Sequence, residues 1–289
     1  MVARVKTGFQ IGTYGVDFGT IQNGVRETAA MGGNLVRYQI LAPDPRYVLA
    51  SDYDDDFRNW SFEYYKAWWD DQINKIVRLC NMIVHEKLKV KIVVDCHSPF
   101  GGAVNYRGRV THKICFDEQT RRRWELCWLD SIYALNRPEI ACFDLCNEPA
   151  GANMAWHRAA SKLARKIRKL TKKPISISTT NGHIDFKNFH PLEVSNIWYQ
   201  VHFYSHSHLT QKAIKRSLRS ARIWSIKHKK RIYVGEVGCN TQYHDPRKFF
   251  SLALPILNKY KWHWTIHAMN ENPIFDYRKS AFDVIEGYL

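Results

Sequence analysis

The stretch "FDLCNEPAG" (residues 143–151) starts as a buried strand and stops being one within a few residues. Phe143, Leu145 and Cys146 suit an apolar strand; Asn147, Glu148 and Pro149 do not continue it. Proline has no amide proton to give a ladder and bends the chain. A carboxylate at the tip of a buried strand is either an incidental loop residue or a positioned chemical group. What stands at the ends of the other strands decides between the two.

Working outward, eight short β-rich runs emerge. They are "FQIGTYGV" (9–16), "NLVRYQI" (34–40), "VKIVVDCH" (90–97), "IACFDLCN" (140–147), "PISIST" (174–179), "IWYQVHFY" (197–204), "RIYVGEVG" (231–238) and "WHWTIHAMN" (262–270). Helical patterns separate them, among them 64–88, 118–136, 155–172, 210–229 and 246–260. Such alternation implies a parallel sheet with crossover helices. Eight strands in 289 residues favour a closed barrel over an open doubly wound sheet. No GxGxxG follows the first strand, which also counts against the open sheet. The expected fold is α/β, a single (β/α)8 TIM barrel, with residues 1–289 as one catalytic domain.

Composition narrows the function classes. Lys and Arg number 43 against 27 acids, a net charge of +16 that favours anionic partners or simple solubility. Much of it lies in residues 157–173 and 211–231, where Leu163, Ile167, Leu170, Ile214, Leu218 and Ile223 recur at helical spacing. These read as amphipathic helices with solvated basic faces. No helix-turn-helix, zinc-finger or RNP-like signature supports nucleic-acid binding. Ten Trp suggest a surface that stacks flat ligands. The seven cysteines, at 80, 96, 115, 127, 142, 146 and 239, form no CxxC pair and read as free buried thiols. No signal-peptide h-region and no membrane-length apolar run is present. Export is expected only of a chain trimmed of its leader, and a cytoplasmic location otherwise. Residues 41–63 form the longest irregular segment, with Tyr47, Tyr53, Phe57, Trp60 and Phe62 beside Asp52, Asp54, Asp55 and Asp56. It reads either as a packed surface excursion or as a wall of a substrate cleft; "DYDDD" lacks the Gly and distal Glu of a calcium loop.

Barrel chemistry sits where strands exit into βα loops. Arg37 lies on the second run, Asp95-Cys96-His97 end the third and Asn147-Glu148 the fourth. His202-Phe203-Tyr204 end the sixth and Gly235-Glu236 the seventh, while the eighth carries Trp262, Trp264 and His267. His206 and His208 follow the sixth as loop residues. Two glutamates across a barrel mouth suit glycoside hydrolysis, one protonated to assist the leaving oxygen and one ionised to attack the anomeric carbon. Their environments must then pull the two pKa values apart. Arg37 and a tyrosine could hold Glu236 ionised, Asn147 could bind a sugar 2-hydroxyl, and an indole could stack beneath the ring.

With these residues in view, the chain resembles glycoside hydrolase family 5, the cellulase A group of retaining (β/α)8 glycosidases. The matching pieces, in order, are "GGNLVRYQI", "VVDCHSPFGG", "FDLCNEP", "VHFYS", "YVGEVG" and "WHWTIHAM". The resemblance implies a double displacement with Glu148 as acid/base and Glu236 as nucleophile. It further implies a substrate-binding shell of Arg37, His97, Asn147, His202, Tyr204 and Trp264, with no metal and no cofactor. The expected activity is that of an endo-β-1,4-glucanase acting as a monomer on a β-linked polysaccharide or oligosaccharide. A β-mannanase or other β-glucan hydrolase is the alternative, and a carbohydrate-binding pseudoenzyme the non-enzymatic one. Trp264 is taken as the stacking platform, while His267 occupies a spot where the family can carry an aromatic. The "PFGG" after His97 looks like the family's Pro-Gly-Gly turn with one insertion, and "STTNGHID" lacks an aromatic.

Overall fold

Alternate residues of nearly every parallel strand point into the barrel or out towards the helices, and this sorting explains the architecture. The structure, a computed structural model, describes residues 5–13, 15–43, 56–180, 186, 189–205, 209–269, 275 and 277–289. Among these residues the chain runs β1 (Thr7–Ile11), α1 (Phe18–Ala30), β2 (Leu35–Gln39), α2 (Phe62–His85), β3 (Lys91–Asp95), β4 (Ala103–Tyr106), β5 (Arg109–His112) and α3 (Glu118–Leu135). It continues through β6 (Ile140–Asp144), α4 (Asn153–Leu170), β7 (Ile175–Ser178), β8 (Ile197–Tyr204), α5 (Gln211–Ser217) and α6 (Arg219–His228). The last elements are β9 (Arg231–Gly238), α7 (Pro246–Lys259), β10 (His263–Met269) and α8 (Phe282–Glu286). Eight strands close a barrel in the order β1-β10-β9-β8-β7-β6-β3-β2, with β4 and β5 paired apart from it. The fold is a single (β/α)8 barrel, and all eight expected strands are in it.

Outward residues such as Val36, Val94, Ile177, Tyr199, Val234 and Trp264 join one core with the helices. Inside the barrel, Leu35, Val93, Ala141, Cys142, Trp198 and Tyr233 form a separate apolar plug. Above the plug the inward residues turn polar, so the closed end is dry and the open end carries chemistry. Helix starts are fixed by side-chain caps: Asp17, Ser61, Asp117, Thr210 and Asp245 each accept a backbone N–H of the first turn. Each such cap is worth about 1 kcal/mol.

The structure differs from the sequence reading in three places. The helix expected over 210–229 is two helices that meet at Leu218. The break turns the second helix so that Ala221 and Trp224 are buried, and Ile223 is 54% exposed instead of facing the core. The hairpin β4–β5 follows β3 and has no counterpart among the eight runs. The tryptophans are mostly core, not a stacking surface: Trp69, Trp124, Trp128, Trp156, Trp198 and Trp264 are fully buried, and Trp224 and Trp262 nearly so. Asp56 is committed to capping the 3-10 turn 57–59 and to pairing with Arg58. All seven cysteines are free and buried, as expected. Tyr47, Asp52, Tyr53, Asp54, Asp55, His206, His208 and most of "STTNGHID" lie outside the described residues.

Candidate active site

Arg37, on β2, is the hub of the polar layer. Its Nη1 donates to Glu236 Oε1 at 2.7 Å and also to Gln10 Oε1. Its Nη2 donates to Asp144 Oδ2 and Asn147 Oδ1, both at 2.9 Å, and pairs with Asp95 Oδ1 at 3.0 Å. Asp95, Asp144 and Arg37 are wholly buried. Burial works against the guanidinium charge, but the carboxylates of Asp95, Asp144 and Glu236 overcome it and hold Arg37 firmly protonated. Breaking such a buried pair from one side typically costs about 3–5 kcal/mol. Arg37 thus sets the positions of a nucleophile candidate and an amide together.

Asn147 and Glu148 leave β6 in a braced turn. Asn147 N–H donates to the Cys96 carbonyl, and its side chain donates from Nδ2 to His97 Nε2 at 3.1 Å. His97 Nδ1 donates to Asp95 at 2.7 Å, so that ring nitrogen carries the proton and Nε2 accepts. Burial lowers the His97 pKa, but Asp95 more than offsets it, leaving a net rise. Glu148 has φ +36°, a conformation that costs a residue with a Cβ about 1–3 kcal/mol. Hairpin β4–β5 supports it: Ala150 N–H donates to His112 Nδ1 at 2.7 Å, and His112 N–H returns a bond to the Ala150 carbonyl at 3.1 Å.

Glu236 reaches the site through a bulge. Along β8 and β9, Val201 pairs with Val234 but His202 pairs with Glu236, so Gly235 is the extra residue. A bulge re-aims side chains, and here it puts Glu236 inside the barrel beside His202. Position 235 must be glycine because a Cβ there would stand 1.9 Å from Gln200 Nε2. That amide takes Ser176 Oγ–H on its oxygen at 3.0 Å and donates to His202 Nε2 at 2.9 Å. The His202 proton therefore sits on Nδ1, which donates to Glu148 Oε1 at 2.7 Å and lies 3.2 Å from Glu236 Oε2. Tyr204 Oη donates to Glu236 Oε2 at 2.6 Å.

The two glutamates are unequal. Burial raises the Glu236 carboxyl, but His202, His267, Arg37 and His97 hold it well below the usual carboxylate range. Burial also raises Glu148, and Glu236 adds to the rise; the hydrogen bond and charge of His202, with the charge of His97, together outweigh both and leave Glu148 lowered. The order matches one firmly ionised and one more readily protonated carboxyl. Ligand atoms of Glu148, His202 and Glu236 all lie within 4.8 Å of one another, the single described group that could reach a metal ion. With its proton on Nδ1, His202 gives this trio a donor between two acceptors, not three converging lone pairs.

Arg37, His97, Asn147, Glu148, His202, Tyr204 and Glu236 converge on one barrel mouth. Trp264 does not: it is fully buried on the outward face of β10, and its indole N–H donates to Asn258 on α7 at 2.9 Å. Strand alternation places His263, Thr265 and His267 inward instead. His267 Nδ1 lies 2.7 Å from Gln10 Nε2 and 3.9 Å from Glu236 Oε2, so the β10 side chain beside Glu236 is an imidazole and not an indole. Gln10, Asp144 and Gln200 were missed as site residues. Each is a polar residue within an otherwise apolar strand, which is the signal that could have found them.

A sequence model of the Cellulase family (glycosyl hydrolase family 5) matches residues 3–273. No curated protein matches the chain by sequence. In fold it is similar to Pseudomonas stutzeri endoglucanase Cel5A, with TM-score 0.69 and 15% identity over 98% of this chain and 94% of that one. Endoglucanase Cel5A from Thermotoga maritima gives TM-score 0.68 and 19% identity over 98% and 97% of the two chains. XacCel5A in complex with cellopentaose gives TM-score 0.67 and 13% identity over 99% of each. With the family matched along nearly its whole length, the chain belongs to glycosyl hydrolase family 5, the cellulases, and is a glycoside hydrolase.

Proposed function

We propose that the chain is a retaining endo-β-1,4-glucanase in which Glu236 is the nucleophile and Glu148 the acid/base, and that residues 1–289 work as one monomeric catalytic unit without metal or cofactor. The observation that carries this reading is the pair of glutamates joined through one histidine N–H at the barrel mouth. Their nearest oxygens lie within 4.8 Å. Inverting pairs stand about 6.5–9.5 Å apart and retaining pairs about 5–5.5 Å. Arg37 and Tyr204 hold Glu236 by both oxygens, aimed and ionised.

In the first step Glu236 attacks the anomeric carbon while Glu148 gives its proton to the departing glycosidic oxygen. A sugar lying over Glu148, whose side chain is 37% exposed, removes its remaining water and raises its pKa towards that of an acid. Once Glu236 is esterified its charge is gone, and with it the influence that raises Glu148. Glu148 then falls in pKa and serves as base for the incoming water. Asn147, held between Arg37 and His97, has no freedom to turn and suits a contact with the sugar 2-hydroxyl. The glucan choice follows the endoglucanase likenesses; a β-mannan is the second reading, favoured by the mannotriose complex of Thermotoga maritima Cel5A.

Reducing-end release from carboxymethylcellulose, barley β-glucan, mannan and xylan tests the proposal, with Glu236→Gln alongside. A β-glucan is expected to be cut, with kcat lower by about 10³-fold or more in the variant. Cleavage of mannan alone would move the specificity, and equal activity of the variant would remove Glu236 from its role.

A further inference from the structure

The end of the barrel opposite the mouth carries a second polar surface, and it is cationic. There the strands begin: Lys6 precedes β1, Lys91 opens β3, Lys173 lies just before β7 and Arg231 opens β9. Two recesses cut this floor. One, of about 180 Å³, is lined by Val5, Lys6, Asn34, Lys89 and Lys91. The other, of about 600 Å³, is lined by Asn136, Arg168, Lys169, Thr171, Lys172 and Lys173. Asn34 accepts Thr7 N–H on Oδ1 at 3.3 Å, and its Nδ2 finds no partner among the described residues.

These cations are set against one another and not against acids. Burial lowers the Lys6 pKa, and Lys91 and Arg231 lower it further. Burial and Lys91 lower that of Lys173, with Glu139 opposing. Lys91 thus links the two recesses. Glu139 itself pairs with Arg137 at 3.5 Å. Among the described residues no carboxylate pairs with Lys6, Lys89, Lys91, Lys172 or Arg231. Arg168 and Lys169 have a local reason to be there, since cations favour a helix C-terminus. Lys6, Lys91 and Arg231 stand at strand entrances, where no helix dipole calls for them. Like charges gathered in this way repel one another in the folded chain, and an anion relieves the repulsion.

The chemistry of the anion follows from what else the floor offers. Helices α1, α2, α4, α6 and α7 all run back to this end, and the last carbonyls of a helix have no intrahelical partner. The end of α4 lines the larger recess. Cationic donors and carbonyl acceptors therefore stand side by side. Duplex DNA brings anionic oxygens but no hydroxyl donors for the carbonyls. No aromatic side chain lines either recess, so unstacked bases would find no platform there. We propose that the floor is a binding surface for an acidic polysaccharide, a chain of uronate units whose carboxylates meet Lys6, Lys91, Lys172 and Arg231 and whose hydroxyls donate to the helix-end carbonyls. The chain so bound lies on the face opposite the mouth, and it holds the enzyme to an anionic matrix with the cleft free. Such binding is independent of which β-glycan is cut and of which glutamate attacks.

Sodium polygalacturonate, immobilised by its reducing end, is the probe, with its methyl ester and a short DNA duplex beside it. Two variants remove the same charge from exposed positions. One carries Lys89→Gln, Lys91→Gln, Lys172→Gln and Arg231→Gln on the floor. The other carries Lys212→Gln, Lys215→Gln, Arg216→Gln and Arg219→Gln on α5 and the start of α6. Equal Tm of the three proteins shows that both variants fold. Wild type is expected to bind polygalacturonate at low salt, to release it as salt rises and to ignore the uncharged ester. The floor variant should bind at least about tenfold more weakly, while the α5–α6 variant stays within about twofold of wild type. Equal loss in the two variants would leave net charge alone as the cause and overturn the floor site. So would undiminished binding by the floor variant, or no binding by wild type. Tighter binding of the duplex, lost in the floor variant, would give the floor to nucleic acid and overturn the acidic polysaccharide. Hydrolysis of barley β-glucan, a neutral polymer, should be the same in all three proteins, so failure of the floor site leaves the glycosidase reading standing. A wild type that binds polygalacturonate through the floor yet cuts no glycan supports the floor site and sinks that reading instead.

Discussion

His202 is the residue on which the acid–base logic turns. It is positioned from behind by Gln200 and offers one N–H to the two glutamates. Both carboxyls are lowered in part by that contact, so each depends on it for its protonation state. In the proposed mechanism the acidic limb of kcat/KM reports Glu236, which must be ionised, and the basic limb reports Glu148, which must be protonated. Removing the donor raises both pKa values. His202→Phe is therefore expected to shift the whole bell to higher pH, besides lowering it. A pH profile that loses height without moving would show that His202 acts only by packing.

Elements explain where single residues point, and Trp264 shows why. Read from the sequence, it is one of two indoles on the last strand and the expected sugar platform. On β10 the alternation is decisive: Trp264 faces α7 and His267 faces the mouth. Trp264→Phe is expected to cost about 1–3 kcal/mol of stability through the lost Asn258 bond and packing. KM for oligosaccharide should stay unchanged; a raised KM at unaltered stability would restore the platform role. The strands themselves were legible, because apolar runs bounded by turn residues mark them, and so was the meeting of Glu148 and Glu236 at one mouth, because both follow or end parallel strands of one barrel. The inward partners were less so. Gln10, Asp144 and Gln200 act through neighbours up to 257 residues away, as Gln10 does on His267, and a polar residue in an apolar strand does not say which neighbour it meets. The bulge at Gly235 and the hairpin bracing Ala150 depend likewise on pairing between distant segments.

At the scale of the molecule, the barrel carries an apolar plug below and a crowded charge layer above. One guanidinium there serves three carboxylates. Burial pushes Asp144 up to about 6, with the Arg37 contact only partly opposing it. An unfolded Asp titrates near ~3.9. Between these two values the native state binds the extra proton, so this group subtracts stability as pH rises through the window. The stability of Asp144→Asn relative to wild type is expected to rise by up to roughly 3 kcal/mol between pH 4 and 7, from about two pKa units. A difference independent of pH, measured by urea unfolding, would mean that Asp144 stays ionised throughout. Many of the basic residues behind the +16 charge, by contrast, lie on the outer helices, among them Arg165, Lys166, Arg168 and Lys169 on α4 and Lys227 on α6. Among the described residues, no helix is long and apolar enough to cross a membrane. The most direct test of the two-glutamate account is the anomeric configuration of the first reducing ends released from a soluble β-glucan, followed by proton NMR before mutarotation. Double displacement through Glu236 requires the β-anomer to appear first; first appearance of the α-anomer would contradict it.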